Sequence, residues 1–206
     1  LNRPEVHNAF NAEMIAEITK ICSEIPDDVR VLALSAEGES FCAGADLNWM
    51  KSMVDYSLEE NRQDSLKLFD MFAAFRSCMV PTVTLAHGNV FGGGLGLIAA
   101  SDIAIGVNNA RFCFSEVKLG LVPAVISPFC GEKVRREKVL DWMLTGRLFS
   151  ADEGHKYGLL SDSLSEDEAK LKFEKVLKTK FSGNWWRCRK EQVRLADFDC
   201  GLFNKE

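Results

Sequence analysis

The sequence has 206 residues, 47% of them hydrophobic, with 25 basic and 30 acidic side chains for a formal net charge of −5. That is enough apolar material for a substantial core, while the dispersed charges form no basic stripe and so exclude a phosphate-backbone footprint; no nucleic-acid partner is expected. Cysteines at positions 22, 42, 78, 113, 130, 188 and 200 include no CxxC pair, and His7, His87 and His155 stand far apart with no HExxH. Neither a disulfide framework nor a metal site is therefore expected, and a reducing compartment fits best. No apolar run reaches the ~18 residues of a membrane span and no secretory signal pattern is visible, so a soluble protein with no membrane partner is expected.

In chain order, Met14, Ile15, Ile18, Ile21, Cys22 and Ile25 recur at three- and four-residue spacing, which predicts an amphipathic helix over 11–25, capped by Asn8 or Asn11 and ended by Pro26. VRVLALS (29–35) reads as a strand followed by a polar loop, and FCAGADLNWM (41–50) leads into helical material. A long helix is predicted over 57–79, with Leu66, Phe69, Phe72, Ala73, Phe75 and Met79 inward and Pro81 as its stop. TVTLAHG (82–88) is a second strand, and further strands are expected near 102–107 and 111–115. Helices follow over 133–144, about 150–157 and 166–180. Strands alternating with helices point to an α/β class with crossover connections. Trp185 and Trp186 lie in an aperiodic final segment and suit a subunit contact, because aromatic residues are enriched in interface cores.

The stretch VFGGGLGLIAASDIAI (90–105) carries glycine at 92, 93, 94 and 96. Gly94-x-Gly96-x-x-Ala99 matches a dinucleotide fingerprint, with Glu116 twenty residues beyond Gly96. Only LIAAS separates Gly96 from Asp102, too little for the helix that fingerprint requires, and Asn108 and Asn109 close the next strand where an acid is needed. The alternative is that the glycines open a short helix whose first N–H groups have no intrahelical partner and, with the positive end of the dipole, suit a developing negative oxygen. The small-residue loop CAGAD (42–46) offers a second donor, and two such N–H groups make an oxyanion hole for a thioester carbonyl. Glu116, in the apolar run RFCFSEVKLGL, would have its pKa raised by burial among Phe114, Val117 and Leu119; an ordinary exposed strand-end carboxylate is the competing reading.

Taken together, FCAGADL (41–47), FGGGLGL (91–97), SDIAI (101–105) and FSEVKLGLVPAVISP (114–128), in that order, resemble the enoyl-CoA hydratase/isomerase, or crotonase, family, as do LNRPEVHNAFN at the start and TGRLFSADEGHKYGLL further on. The resemblance implies a ClpP/crotonase-like spiral of ββα units over residues 1–160, its first strand missing, and a C-terminal helical region over 161–206, through which the family forms homotrimers or hexamers. It implies that the N–H groups of Ala45 and Gly93 form the oxyanion hole, that Ala43, Asp46 and Leu47 line the coenzyme A site, and that Glu116 is catalytic. No separate cofactor is implied, since coenzyme A arrives as part of an acyl-CoA thioester substrate. A second catalytic glutamate is usual in the family's hydratases at the position of Gly96, which here would leave space for a branched substrate or a water.

Within the family the GGGxGL, SEVKLGL and ADLNWM runs look most like the bacterial 3-methylglutaconyl-CoA hydratase group of leucine breakdown, so hydration of a branched enoyl-CoA by a single glutamate is the expected activity. A Δ3-Δ2 enoyl-CoA isomerase and a non-catalytic acyl-CoA-binding protein are the alternatives. A bacterial cytoplasmic location, or a mitochondrial matrix, goes with this reading. His7, His87, His155, Asp102 and Arg111 are expected to be structural. Trp49, Met50 and Met53 suit either a mobile acyl-pocket wall or core packing.

Overall fold

The computed structural model describes residues 1–179 and residue 181. The Asn11 side chain accepts from the Met14 N–H at 2.9 Å and starts α1 (Ala12–Ser23), which buries Met14, Ile15, Ile18 and Cys22 at the predicted spacing, whereas Ile21 is half exposed. Asn8, the other cap candidate, is fully buried and donates from its amide to the carbonyls of Glu37 and Ser40. The chain then forms β1 (Leu32–Leu34), β2 (Ser40–Cys42), α2 (Leu47–Ser52) and α3 (Leu58–Arg76). A capping box between Ser57 and Glu60 opens α3, which buries Met71, Phe72 and Phe75.

Next come β3 (Thr82–Ala86), β4 (Asn89–Phe91), α4 (Gly93–Ala100), β5 (Ile103–Val107), β6 (Arg111–Cys113) and a 3-10 helix, Ser115–Leu119. The helix expected over 133–144 is α6 (Arg136–Thr145), which starts three residues later because Val134 is extended, and a separate helix, α5 (Ser127–Lys133), precedes it. The described chain ends with β7 (Phe149–Ser150), α7 (Ala151–Lys156), β8 (Asp162–Leu164) and α8 (Glu166–Leu177).

The strands form two four-stranded sheets, β1-β3-β5-β8, all parallel, and β2-β4-β6-β7, parallel except for the β6–β7 pair. From β1 to β6 successive strands thus alternate between the sheets, and each of the pairs β1–β2, β3–β4 and β5–β6 is followed by helical structure: a spiral of ββα units, the crotonase α/β fold, to which β7 adds beside β6 and β8 beside β5. The core between the layers contains Phe41, Phe72, Phe75, Phe112, Phe114, Phe129 and Trp142, all inaccessible or nearly so. Residues 162–177 belong to this body rather than to a separate helical region. Here β8 pairs with β5, and Ala169 and Phe173 of α8 pack on Ile103, Ile105 and Val107. Trp185 and Trp186 lie outside the described residues.

Helix α4, GGLGLIAA, owes its existence to this packing. Three glycines cost about 1 kcal/mol each relative to alanine in a helix, whereas complete burial of Leu95, Leu97 and Ile98 contributes roughly 1.5–3 kcal/mol apiece. Asp102, just before β5, accepts from the Thr82 N–H and hydroxyl, both at 2.8 Å, and Arg111 donates to the Asn89 amide oxygen at 3.0 Å. Both are structural, as expected.

Candidate active site

Residues 7–10 run beside the loop 42–46. The Ala43 N–H donates to the His7 carbonyl at 3.0 Å, the Phe10 N–H to the Gly44 carbonyl at 2.7 Å, and the Asp46 N–H to the Phe10 carbonyl at 2.8 Å. In such parallel pairing alternate backbone groups face the partner, so the N–H of Ala45, opposite Phe10, faces away and donates to nothing among the described residues. Gly92 (φ 49°, ψ −121°) turns the chain from β4 into α4 with its own N–H on the Cys113 carbonyl at 3.0 Å, a conformation that side-chain-bearing residues rarely adopt. Gly93 follows as the first residue of α4, where the N–H has no intrahelical acceptor and the dipole is positive. The two loops touch: a Cβ on Gly44 would lie 3.9 Å from the Gly92 Cα.

Glu116 sits in the 3-10 helix rather than at a strand end. Its Oε2 is buried and has no hydrogen-bond partner, and its Oε1 lies 3.2 Å from where a Gly92 Cβ would be. Burial pushes its pKa above the ordinary carboxylate value, outweighing the opposing hydrogen bond from its own N–H. Of the apolar neighbours expected to cause this, Phe114 is buried, but Leu119 is 59% exposed.

Ala43, Ala45, Leu47, Gly93 and Glu116 line one cavity of about 390 Å³, whose remaining wall includes Phe10, Leu68, Leu121 and Ile126. Lys118 is the one cation among the described residues lining it. A second cavity of about 320 Å³ shares Ala45, Trp49, Met50, Leu68 and Leu121 and adds Met53. Trp49, Met50 and Met53 therefore form pocket wall, and Trp49 also packs on the core. The arrangement offers two uncommitted N–H donors, one buried carboxyl oxygen without a partner and an apolar slot, which together suit polarising a carbonyl and moving a proton beside it. Phe10, Leu68 and Ile126 escaped the sequence reading, since an apolar residue lining a site looks like core.

Two expected binding residues lie elsewhere. Asp46 caps α2 through the Asn48 N–H at 2.9 Å and pairs with Arg3 at 3.0 Å, and these two contacts, in that order, hold its pKa below the ordinary value. It braces the loop and does not line the cavity. Asp46→Ala is expected to cost about 1 kcal/mol, the usual worth of such a cap, read as a lower melting temperature at neutral pH. A carboxyl with a depressed folded pKa contributes stability above its unfolded pKa, so the deficit should shrink as pH falls through the folded value; a deficit unchanged at acid pH would refute this role.

Gly96 is likewise absent from the cavity wall, and no space is left beside it. A Cβ there would lie 2.6 Å from the Phe72 Cζ and 2.7 Å from the Ile126 Cγ2. The room expected for a branched substrate or a water is filled by those side chains.

His87 contacts the Gly38 carbonyl at 2.9 Å, His155 the Leu160 carbonyl at 3.2 Å, and His7 the Ser40 hydroxyl at 3.5 Å, none of them at the cavity. The Cys42 thiol, whose pKa burial pushes up to about 12, is held neutral and is no nucleophile. Among the described residues no group of three or more His, Cys, Asp or Glu could hold a metal ion, and no helix is long and apolar enough to cross a membrane.

The spiral of ββα units with a cavity bounded by Gly92 and Gly93 defines a crotonase-fold protein. The family model for enoyl-CoA hydratase/isomerase matches residues 1–182, and the chain belongs to that family. It is similar to an enoyl-CoA hydratase structure from Shewanella pealeana, at 35% identity and a TM-score of 0.85 over 97% of this chain and 77% of that one. It is similar also to Pseudomonas aeruginosa AtuE, at 28% identity and a TM-score of 0.89 over 95% and 78%. Enoyl-CoA hydratase ACTT6 of Alternaria alternata is 32% identical over 171 residues, 82% of this chain and 55% of that protein, so the chain spans just over half the length of that curated relative.

Proposed function

We propose that the protein adds water across the double bond of an enoyl-CoA, with Glu116 as its single acid/base. The observation that carries this is the buried, unpartnered Glu116 Oε2 in the same cavity as the uncommitted Ala45 and Gly93 N–H groups. The thioester oxygen would lie between the two N–H donors, which stabilise the enolate as charge moves onto oxygen; one such donor is typically worth ~10²–10³ in rate. The Glu116 carboxylate takes a proton from a water as that water's oxygen bonds to the β-carbon. The resulting carboxylic acid returns the proton to the α-carbon, regenerating the carboxylate and placing both new bonds on one face.

The substrate proposed is a branched enoyl thioester with a distal carboxylate, such as 3-methylglutaconyl-CoA. Supporting this are the motif resemblance and Lys118, whose ammonium suits the distal carboxylate. A homotrimer or hexamer is proposed alongside, supported by Leu140 and Leu144, which stand 45% and 77% exposed one turn apart on α6. One observation favours a second reading, Δ3-Δ2 isomerisation: the packed surroundings of Gly96 exclude a second carboxylate there, and shuttling one proton between two carbons needs only one base.

The test is the absorbance of the conjugated enoyl thioester on mixing the protein with 3-methylglutaconyl-CoA, with crotonyl-CoA and a 3-enoyl-CoA alongside. Loss of absorbance with the branched substrate is the expected result; a rise with the 3-enoyl-CoA alone would make the protein an isomerase, and silence with all three would overturn catalysis. Since the base form of Glu116 starts the hydration and its pKa is raised, kcat/KM should fall on the acid side, with its half-point above the usual carboxylate range of ~4. A profile flat down to that range would remove Glu116 as the base.

A further inference from the structure

We propose that Phe10 is a positioning residue that sets the two oxyanion donors relative to each other, an inference that rests on the reading of Ala45 and Gly93 as those donors. Its backbone holds one side: the Phe10 N–H bonds to the Gly44 carbonyl and its carbonyl accepts the Asp46 N–H, so both residues flanking Ala45 are tied to it and the Ala45 N–H is turned outward. Arg3 reinforces this clamp, donating to the Ala9 carbonyl at 2.6 Å and pairing with Asp46 at 3.0 Å.

The Phe10 ring holds the other side. Its Cε2 and Cδ2 lie 2.8 and 2.9 Å from where a Gly93 Cβ would be, so the ring is seated directly against the first residue of α4. The residue is 1% exposed, meets Phe72 edge-on at a centroid distance of 6.1 Å, and lines the cavity wall. Two donors on separate loops, with no hydrogen bond between them, are thus referenced to one residue, by its main chain and by its side chain. Gly93 has no Cβ because the ring occupies that place. Catalysis by fixed donors depends on such rigidity, since a displacement of about 1 Å can cost on the order of 10² in rate.

The ring's part is tested with Phe10→Ala and Phe10→Leu, with Phe129→Leu as a control for lost core packing, because Phe129 packs on Phe69 and Phe72 away from the cavity. The probe is 2,4-hexadienoyl-CoA, whose conjugated carbonyl absorbs at longer wavelength when hydrogen-bond donors polarise it. Bound to the unaltered protein it should show a red shift, which Phe10→Ala should lose in large part and Phe10→Leu in smaller part, while Phe129→Leu keeps it. Turnover of 3-methylglutaconyl-CoA should follow, with kcat about 10–100-fold lower in Phe10→Ala, as for donors displaced by up to about 1 Å. Should Phe10→Ala not fold, Phe10→Leu carries the comparison with Phe129→Leu. A Phe10 variant that keeps the full shift and kcat, however much less stable, overturns the inference; absence of a shift in the unaltered protein overturns the oxyanion-hole reading beneath it.

Discussion

Glu116→Gln should abolish turnover and make the protein more stable. The loss follows from the mechanism: the amide can neither accept the proton of the attacking water nor return one to the α-carbon, and general acid–base groups are worth ~10²–10⁴ in rate. With no second carboxylate lining the cavity among the described residues, the loss should sit at the upper end of that range. The gain in stability follows from the same burial. Oε2 is buried without a partner; a neutral polar group left so costs about 1–3 kcal/mol and a charged one more, and it is this excess that glutamine removes.

A group whose pKa is raised on folding binds its proton more tightly in the native state, so its contribution is fully present below the unfolded pKa and is lost as pH rises through the folded one. At neutral pH the charge on the carboxylate therefore destabilises the fold, and the neutral glutamine removes the charge's share of that cost while keeping a buried polar atom in its place. In a chain of this size about 1 kcal/mol corresponds to roughly 2–4 °C. Steady-state turnover and thermal melts at neutral pH read both effects. Retained activity would remove Glu116 from the chemistry, and an unchanged or lower melting temperature would refute the destabilising charge.

Gly96→Glu, the substitution that restores the second carboxylate usual in the family's hydratases, should unfold the protein rather than improve it. The first added atom already falls 2.6 Å from the Phe72 ring and 2.7 Å from Ile126. Phe72 cannot easily retreat, because it is completely buried and packs against both Phe10 and Phe129. Overpacking of this kind costs about 1–3 kcal/mol, and a carboxylate forced among aromatic and aliphatic side chains adds several more or takes up a proton. Set against a typical net stability of about 5–15 kcal/mol, the sum removes most of the margin.

Gly96→Ala separates the steric part, and a melting temperature lowered by a few degrees is expected despite alanine's better helix propensity. A Gly96→Glu variant that melts like the parent would show that the space exists after all.

The two long amphipathic helices were legible because each is organised by neighbours three and four residues apart and closed by residues with a local effect: Asn11 at the start of α1, Ser57 with Glu60 at the start of α3, and Pro26 and Pro81 beyond the two ends. Strands β2, β4 and β8 were not. Three residues such as SFC, NVF or DSL are too short to show a period and become strands only because parallel partners from distant segments complete their hydrogen bonds. The glycines at 92–96 and the acid at 116 were legible as motifs, and the fold brings Gly93 and Glu116 to one cavity with Ala45.

The sequence by itself determined the α/β class, the family, and which backbone positions lack side chains, since these depend on residue type and local order. Only the tertiary structure decided that Asp46 caps a helix and pairs with Arg3, that Phe10 touches both the loop 42–46 and the first residue of α4, and that Gly96 marks a filled place rather than an empty one. The physical reason is common to all three. Whether a carboxylate meets a ligand or an arginine, and whether a missing Cβ leaves a void or admits a ring, is settled by which remote segments pack against it.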